Sequence, residues 1–347
     1  MKTSTTSPLE GDRNCSGLAV PKRLIAIKRL FPLIAAFILC IAGTGYIYQS
    51  VTTAMDKQNY PPPGRLVSIN GHRLHIQSDG KGGPTVLLEA GLGSMSCGWG
   101  WIQPEVARFT RVVSYDRPGL GWSEPDNSPR TASHNARQLH DLLHASGIEG
   151  PYVVVGHSMG GLLVREFADK YPDEVVGMVL VDAAHPDQYW RSPAIKRHMD
   201  SGFHMLKNIP LMAKLGLVRI TGYLNSQAEG LPVKQREEAE AFLASCGHLE
   251  TANNEAEAWD SVCSEVRRAR KLGGKPLAIV SAGKDTLAGA RELQDELAGL
   301  SFDSTHVVVR GATHVTLVTH REYALTVVEA IRQVLEKVRK AHNAGRE

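Results

Sequence analysis

The hydrophobic pattern changes character twice before any folded domain begins. Residues 1 to about 20 are rich in Ser, Thr and Gly and show no apolar period. The stretch Pro21–Leu30 then carries Lys22, Arg23, Lys28 and Arg29. From Leu30 to Tyr48 the chain is apolar, with Thr44 as its one clearly polar residue. A helix needs about 20 such residues to cross the hydrocarbon core of a bilayer. Lipid offers backbone groups no partner, so helix is the form such a segment takes there. The pattern therefore predicts a disordered basic N-terminus over 1–29, a transmembrane anchor over 30–48 and a linker over 49–64. The linker ends in Pro61-Pro62-Pro63-Gly64, stiffened by polyproline geometry.

Beyond residue 64 the period switches between that of strands and that of helices. Arg65–Ile69 and Arg73–Gln77 alternate around Asn70-Gly71, a hairpin signal. Thr85–Glu89, Arg111–Tyr115, Tyr152–Val155, Val175–Val181, Pro276–Ser281 and Thr305–Val309 are short apolar runs. Continuous runs of this kind suit strands covered on both faces. Ala132–Ala145, Leu162–Lys170 and Arg321–Lys340 have helical periodicity. Such alternation predicts a mainly parallel sheet flanked by helices, with the opening hairpin as an antiparallel edge. Between about 183 and 274 the alternation stops, and the composition turns helical, especially over Lys234–Ser245 and Ala256–Leu272. That stretch predicts a helical cap inserted into an α/β domain spanning 65–341.

Charge narrows the function less than it places the chain. The formal net charge of +3 is small for 347 residues, and the basic excess sits at the two ends. No basic stripe is interleaved with aromatics, so nucleic-acid binding has little support. The Lys/Arg cluster before the apolar run puts the N-terminus in the cytoplasm and the rest outside by the positive-inside rule. A signal peptide cleaved near Ala54, releasing a secreted domain, is the alternative. None of Cys15, Cys40, Cys97, Cys246 and Cys263 forms a C-x-x-C pair, which leaves no zinc-site signature. In an oxidising compartment Cys246 and Cys263, both in the insert, could pair.

The chemistry-bearing motif is Gly156-His157-Ser158-Met159-Gly160, between a predicted strand and a predicted helix. This is the nucleophile elbow in the strand–turn–helix context it requires. Tiny flanking residues let strand and helix approach while the turn lifts the Ser158 hydroxyl above the sheet. A serine hydroxyl needs a base, and the elbow's chain order is serine, acid, histidine. His314 follows the last predicted strand and precedes the C-terminal helix, which suits the base better than His320 at the helix start. Asp285, in the loop after Pro276–Ser281, is the expected acid. Asp182, directly after Val175–Val181, is the alternative. The oxyanion hole is expected to use the backbone N–H of Met159 and that of Leu92, in the loop Ala90-Gly91-Leu92-Gly93-Ser94.

These residues resemble the α/β-hydrolase superfamily in its lid-bearing, serine-nucleophile, membrane-anchored branch. The elbow is one part of that resemblance. Ser114-Tyr115-Asp116-Arg117-Pro118-Gly119-Leu120-Gly121-Trp122-Ser123, Tyr171-Pro172-Asp173-Glu174-Val175 and Val181-Asp182-Ala183-Ala184 are others, and the likeness runs from about Arg65 to Lys340. It implies that Asp116 and Arg117 shape loops beside the site. Two departures matter. Glu89-Ala90-Gly91 stands where many relatives carry His-Gly, and the His-Gly-Gly-Pro-Gly run of proline iminopeptidases is absent. Ser158 occupies the position at which dehalogenases and epoxide hydrolases use aspartate.

The expected activity is hydrolysis of a carboxylic ester or related acyl bond through an acyl-enzyme. Acyl transfer, amide or peptide cleavage with the same residues, or ligand binding without turnover, are the alternatives. No metal or organic cofactor is implied, and nothing in the pattern points to an obligate protein partner. The expected partners are a small acyl substrate and the membrane that holds the N-terminal helix.

Overall fold

The structure, a computed structural model, describes residues 22 to 344, with side chains from Phe31 onward. The polar residues at the start and the basic side chains of Pro21–Leu30 lie outside the described residues. The chain divides into two compact units, Met1–Thr44 and Gly45–Glu347.

Helix α1 (Lys22–Asn59) is continuous through the apolar run and past it. Its part Phe31–Asn59 is long and apolar enough to cross a membrane, with an 18-residue stretch of mean hydropathy 1.9. The linker expected from residue 49 begins only after Asn59. Gln49 to Asn59 holds no Gly or Pro to stop a helix, and tertiary contacts hold it in that form. Gln49 Nε2 donates to the carbonyl of Ala244 at 2.8 Å, and Arg219 meets Asp56 at 2.7 Å.

Eight strands form one sheet: β1 (Arg65–Ile69), β2 (His72–Asp79), β3 (Thr85–Glu89), β4 (Val112–Tyr115), β5 (Tyr152–His157), β6 (Val175–Val181), β7 (Leu277–Ala282) and β8 (Ser304–Val309). Their spatial order is β1-β2-β4-β3-β5-β6-β7-β8. β1 and β2 pair antiparallel, as do β2 and β4, and every later pairing is parallel. Successive side chains of a strand point to opposite faces, so each central strand feeds two cores. Val86, Leu88, Val153, Val155, Val179 and Val181 meet α2 (Ile102–Val106) and the C-terminal helix on one face. Leu87, Val154, Met178 and Leu180 meet α3 (Ala132–Ala145) and α4 (Met159–Lys170) on the other. This two-sided burial is why the central strands read as unbroken apolar runs.

The insert between β6 and β7 is helical: α5 (Gln188–Arg191), α6 (Pro193–Lys214), α7 (Leu217–Thr221), α8 (Val233–Leu243), α9 (Cys246–Glu257) and α10 (Trp259–Val266). The predicted helix Ala256–Leu272 is instead the end of α9 followed by α10. Helix α10 packs on α3 and α4, and α8 packs on the short 3-10 turn Ser96–Trp99 after β3. Cys246 and Cys263 are both free thiols. Cys246 Sγ faces the carbonyl of Pro210 at 3.7 Å, whereas Cys263 is buried beside Trp259 and Val262. Three helices complete the chain: α11 (Ala290–Ala298), α12 (Thr316–Thr319) and α13 (Arg321–Ala344).

Candidate active site

The elbow forms where β5 runs into α4. Ser158 is the last residue before α4 and holds φ 55°, ψ −124°, a region that non-glycine residues avoid. Such strain persists only when surroundings over-determine it. Here the Ser158 N–H donates to the Val181 carbonyl at 3.1 Å, and the Ser158 carbonyl accepts from Gly161 and Ala184 at 3.0 and 2.9 Å. The glycines are steric necessities. A Cβ on Gly156 would lie 2.5 Å from the Gly160 carbonyl oxygen, and one on Gly160 would lie 2.3 Å from that of Glu89.

Two loops at the carboxyl ends of the strands close on this elbow. In the loop after β8, the His314 Nδ1–H donates to Asp182 Oδ2 at 2.6 Å. The imidazole centroid of His314 lies 4.7 Å from that of His157, the residue before Ser158. The Nε2–H of His157 donates to the His314 carbonyl at 3.1 Å, which ties the histidine loop to the elbow. His157 is buried. Burial, and then the proximity of His314, push its pKa down to about 3, so it stays neutral. Burial opposes the charge on Asp182, but the His314 hydrogen bond and the Ala282 N–H outweigh it and hold the carboxyl below its ordinary value. Among the described residues no hydrogen bond yet joins the Ser158 hydroxyl to His314.

The structure thus brings the alternative acid, Asp182, to His314 and leaves the expected acid, Asp285, apart from it. Asp285 is exposed, and no described side chain or amide hydrogen-bonds its carboxylate. The loop after β7 is pinned to the exit of β8, with Gly283 N–H on Val309 and Lys284 N–H on Ala312 at 3.0 and 2.9 Å. It then turns outward at Asp285, which has φ 56°. Asp182, at φ 39°, follows the end of β6. Its Oδ1 accepts the Ala282 N–H at 3.0 Å, which leaves Oδ2 for His314. His320 instead contacts Thr319 and stacks on Tyr323.

The expected oxyanion donors lie on either side of Ser158. Met159 is the first residue of α4, where the N–H has no partner within the helix. Leu92 sits in the turn Gly91–Ser94, closed by the Ser94 N–H on the Gly91 carbonyl at 3.1 Å. A Cβ on Gly91 would lie 3.2 Å from that of Ser158, so the turn runs directly past that serine. Leu92, with Met199 and Phe203 of the cap, packs against a buried cluster that includes Met159 and Trp259, an apolar wall drawn largely from the cap. On the other side a small space is lined by Gly91, Ser94, Met95, Trp99, His157 and Val318.

Behind the turn lies a buried charge network. Arg117 Nη1 donates to Glu89 Oε1 and to the Ala90 carbonyl at 2.7 and 2.8 Å, and Nη2 donates to the Gly91 carbonyl at 2.7 Å. Arg117 Nε meets Glu255 Oε1 at 2.6 Å, and Tyr115 donates to Glu89. Burial alone would lower the pKa of Arg117, but the two carboxylates raise it instead. Burial raises that of Glu89 despite the pull of Arg117. The departure at Glu89 was visible in the sequence without this network, and nothing in the sequence of α9 marked Glu255. His157, the variable residue of the elbow, was likewise unmarked.

Comparison with known proteins agrees with this geometry at the level of the family. Residues 86–330 match the sequence profile described as the alpha/beta hydrolase family. The chain is 32% identical over 171 residues to a probable transporter, efuK, of Hormonema carpetanum, covering 47% of this chain and 24% of that one. The matched parts span 24%, 58% and 49% of three curated relatives. Among solved structures, the epoxide hydrolase CorEH superposes with TM-score 0.65 at 19% identity, covering 79% of this chain and 98% of that one. An esterase from Thermogutta terrifontis superposes with TM-score 0.57 at 22% identity, covering 79% and 97%. With the profile spanning most of the sheet and the whole cap, the chain belongs to the alpha/beta hydrolase family.

Proposed function

We propose that this protein is a serine hydrolase that cleaves a carboxylic ester or related acyl bond through an acyl-enzyme. The observation that carries the reading is the 2.6 Å bond from His314 to Asp182, formed beside the strained elbow that presents Ser158. In this reading a small side-chain rotation brings the Ser158 hydroxyl onto His314 Nε2, since catalytic hydrogen bonds are often long before substrate binds. Ser158 Oγ attacks the carbonyl carbon and His314 takes its proton. Asp182 holds the imidazole in the tautomer with Nδ1–H and stabilises its charged form. The N–H groups of Met159 and Leu92 receive the developing oxyanion. His314 returns the proton to the leaving group, and water releases the acyl group by the same route. The apolar wall of Leu92, Met199, Phe203 and Trp259 favours an apolar group on the substrate. On a panel of p-nitrophenyl esters, Ser158→Ala should lower kcat by roughly 10⁴-fold or more. An unimpaired variant would refute the assignment.

We further propose that α1 is a retained anchor, with the N-terminus cytoplasmic and the hydrolase domain on the other side. Cleavage near Ala54 would remove Gln49 and with it the buried bond to Ala244. Tyr48, which packs on Gly216, would go too. The full chain should stay with membranes through alkaline extraction, and protease added to the extracytoplasmic side should reach the domain. Release into the soluble fraction with residues 1 to about 54 missing would show cleavage instead.

A further inference from the structure

The cap reaches the proposed chemistry through one helix. His248, Ala252 and Glu255 lie at i, i+4 and i+7 on α9, which places them on one face. All three meet the turn Gly91–Ser94. The His248 Nε2–H donates to the Gly93 carbonyl at 2.9 Å, and a Cβ on Gly93 would lie 2.7 Å from that of Ala252. Glu255 Oε2 accepts the Gly93 N–H at 2.8 Å and a guanidinium N–H of Arg117 at 3.0 Å, while Oε1 holds Arg117 Nε. Both side chains of this pair are about 97–98% buried, at 3% and 2% exposure.

This arrangement fixes the direction of one amide. The carbonyl of Gly91 and the N–H of Leu92 belong to the same planar peptide unit and point in opposite directions. Arg117 holds that carbonyl, so it also sets the aim of the Leu92 N–H. The next peptide unit, Leu92–Gly93, is held through its N–H by Glu255. The two planes that flank the Leu92 Cα are therefore both pinned, and Glu255 pins the second directly and the first through Arg117. Leu92 itself contributes no side-chain polarity to this, and the strand that precedes it ends at Glu89.

We propose that Glu255 is a positioning residue of the cap that aims the Leu92 N–H, so that the oxyanion hole is complete only while α9 is seated. The inference rests on the acyl-hydrolase reading for its chemistry and on geometry alone for its structural half. The cap thereby controls the rate of the chemical step as well as access to the site.

The test uses the full chain, with p-nitrophenyl butyrate as substrate and a fluorophosphonate to titrate reactive serines. Glu255→Ala should lower kcat per titrated serine by about 10²-fold, the scale of losing one oxyanion donor, with KM shifted far less. Glu255→Gln keeps an acceptor for Gly93 but turns an amide N–H₂ toward Arg117, and it should fall between Glu255→Ala and the parent. Asn254→Ala, exposed on the next position of α9, should match the parent. In parallel, hydrogen exchange at the amides of Leu92, Gly93 and Ser94 should accelerate in Glu255→Ala while β5 and β6 stay protected. Equal kcat per titrated serine, unchanged exchange in the turn, or loosening spread across the sheet would each overturn the proposal. Should the parent neither turn over nor label, the hydrolase reading fails, and the exchange arm still decides whether Glu255 holds the turn.

Discussion

At the scale of single residues, the site combines strain with two opposite protonation demands. Ser158 and Asp182 both hold positive φ, and each is locked by backbone bonds to the neighbouring strand exits. His157 stays neutral, because burial and then the nearby His314 outweigh the hydrogen bond to the His314 carbonyl, which favours the charged form. Its pKa is lowered from 6.5 to about 3 on folding, so the unfolded chain binds the extra proton between those values. Its contribution is fully present above about pH 6.5 and is lost as pH falls toward 3, by at most roughly 1.4 kcal/mol per pH unit. Asp182, depressed on folding, acts in the same direction at the acid end of that window. Urea midpoints measured from pH 7 to pH 4 should therefore fall steeply, and His157→Gln should flatten the fall. Parallel curves for parent and variant would show that His157 does not titrate this way. The part played by His157 was not visible in the sequence, since the middle positions of the elbow tolerate many residue types. The serine and its flanking glycines were legible because sterics leave the turn no alternative.

At the scale of elements, the strands were the most legible part. Thr85–Glu89 and Val175–Val181 read as strands at their observed limits, because burial on both faces demands unbroken apolar runs. The helices Ala132–Ala145 and Arg321–Ala344 were legible for the complementary reason, one apolar stripe each. The end of α1 was not. Residues 49–59 are mostly polar and look like a linker, and their contacts with Ala244 and Arg219 support them as helix. The break between α9 and α10 was equally hidden, as it depends on how the cap packs. The elbow depends on close approach of β5, α4 and the end of β3. A Cβ at Gly160 would meet the carbonyl oxygens of Glu89 and Ala90 at 2.3 and 2.7 Å, and both belong to backbone that cannot step aside. Gly160→Ala should cost about 1–3 kcal/mol of stability and displace the loop after β3. A denaturation midpoint unchanged from the parent would contradict that packing.

At the scale of the whole molecule, the site is a product of topology. The ends of β5, β6 and β8 bring Ser158, Asp182 and His314 to one edge from positions up to 156 residues apart, and the cap adds Glu255 from above them. The place of Ser158 and His314 at one sheet edge could be read from chain order, because each follows a strand and precedes a helix. Which carboxylate meets His314 could not, because Asp182 and Asp285 both follow strand ends, on the adjacent strands β6 and β7. What separates them is the path of the loop after β7, which turns Asp285 outward, and that path is fixed by backbone bonds to β8. The central claim is thus that the carboxylate of residue 182 orients the imidazole of residue 314. The direct measurement is kcat for ester hydrolysis in Asp182→Asn and Asp285→Asn, each normalised to folded protein. The account expects a loss of roughly 10³ to 10⁴-fold for Asp182→Asn and a change of no more than about twofold for Asp285→Asn. The reverse pattern, with Asp285→Asn crippled and Asp182→Asn active, would contradict it.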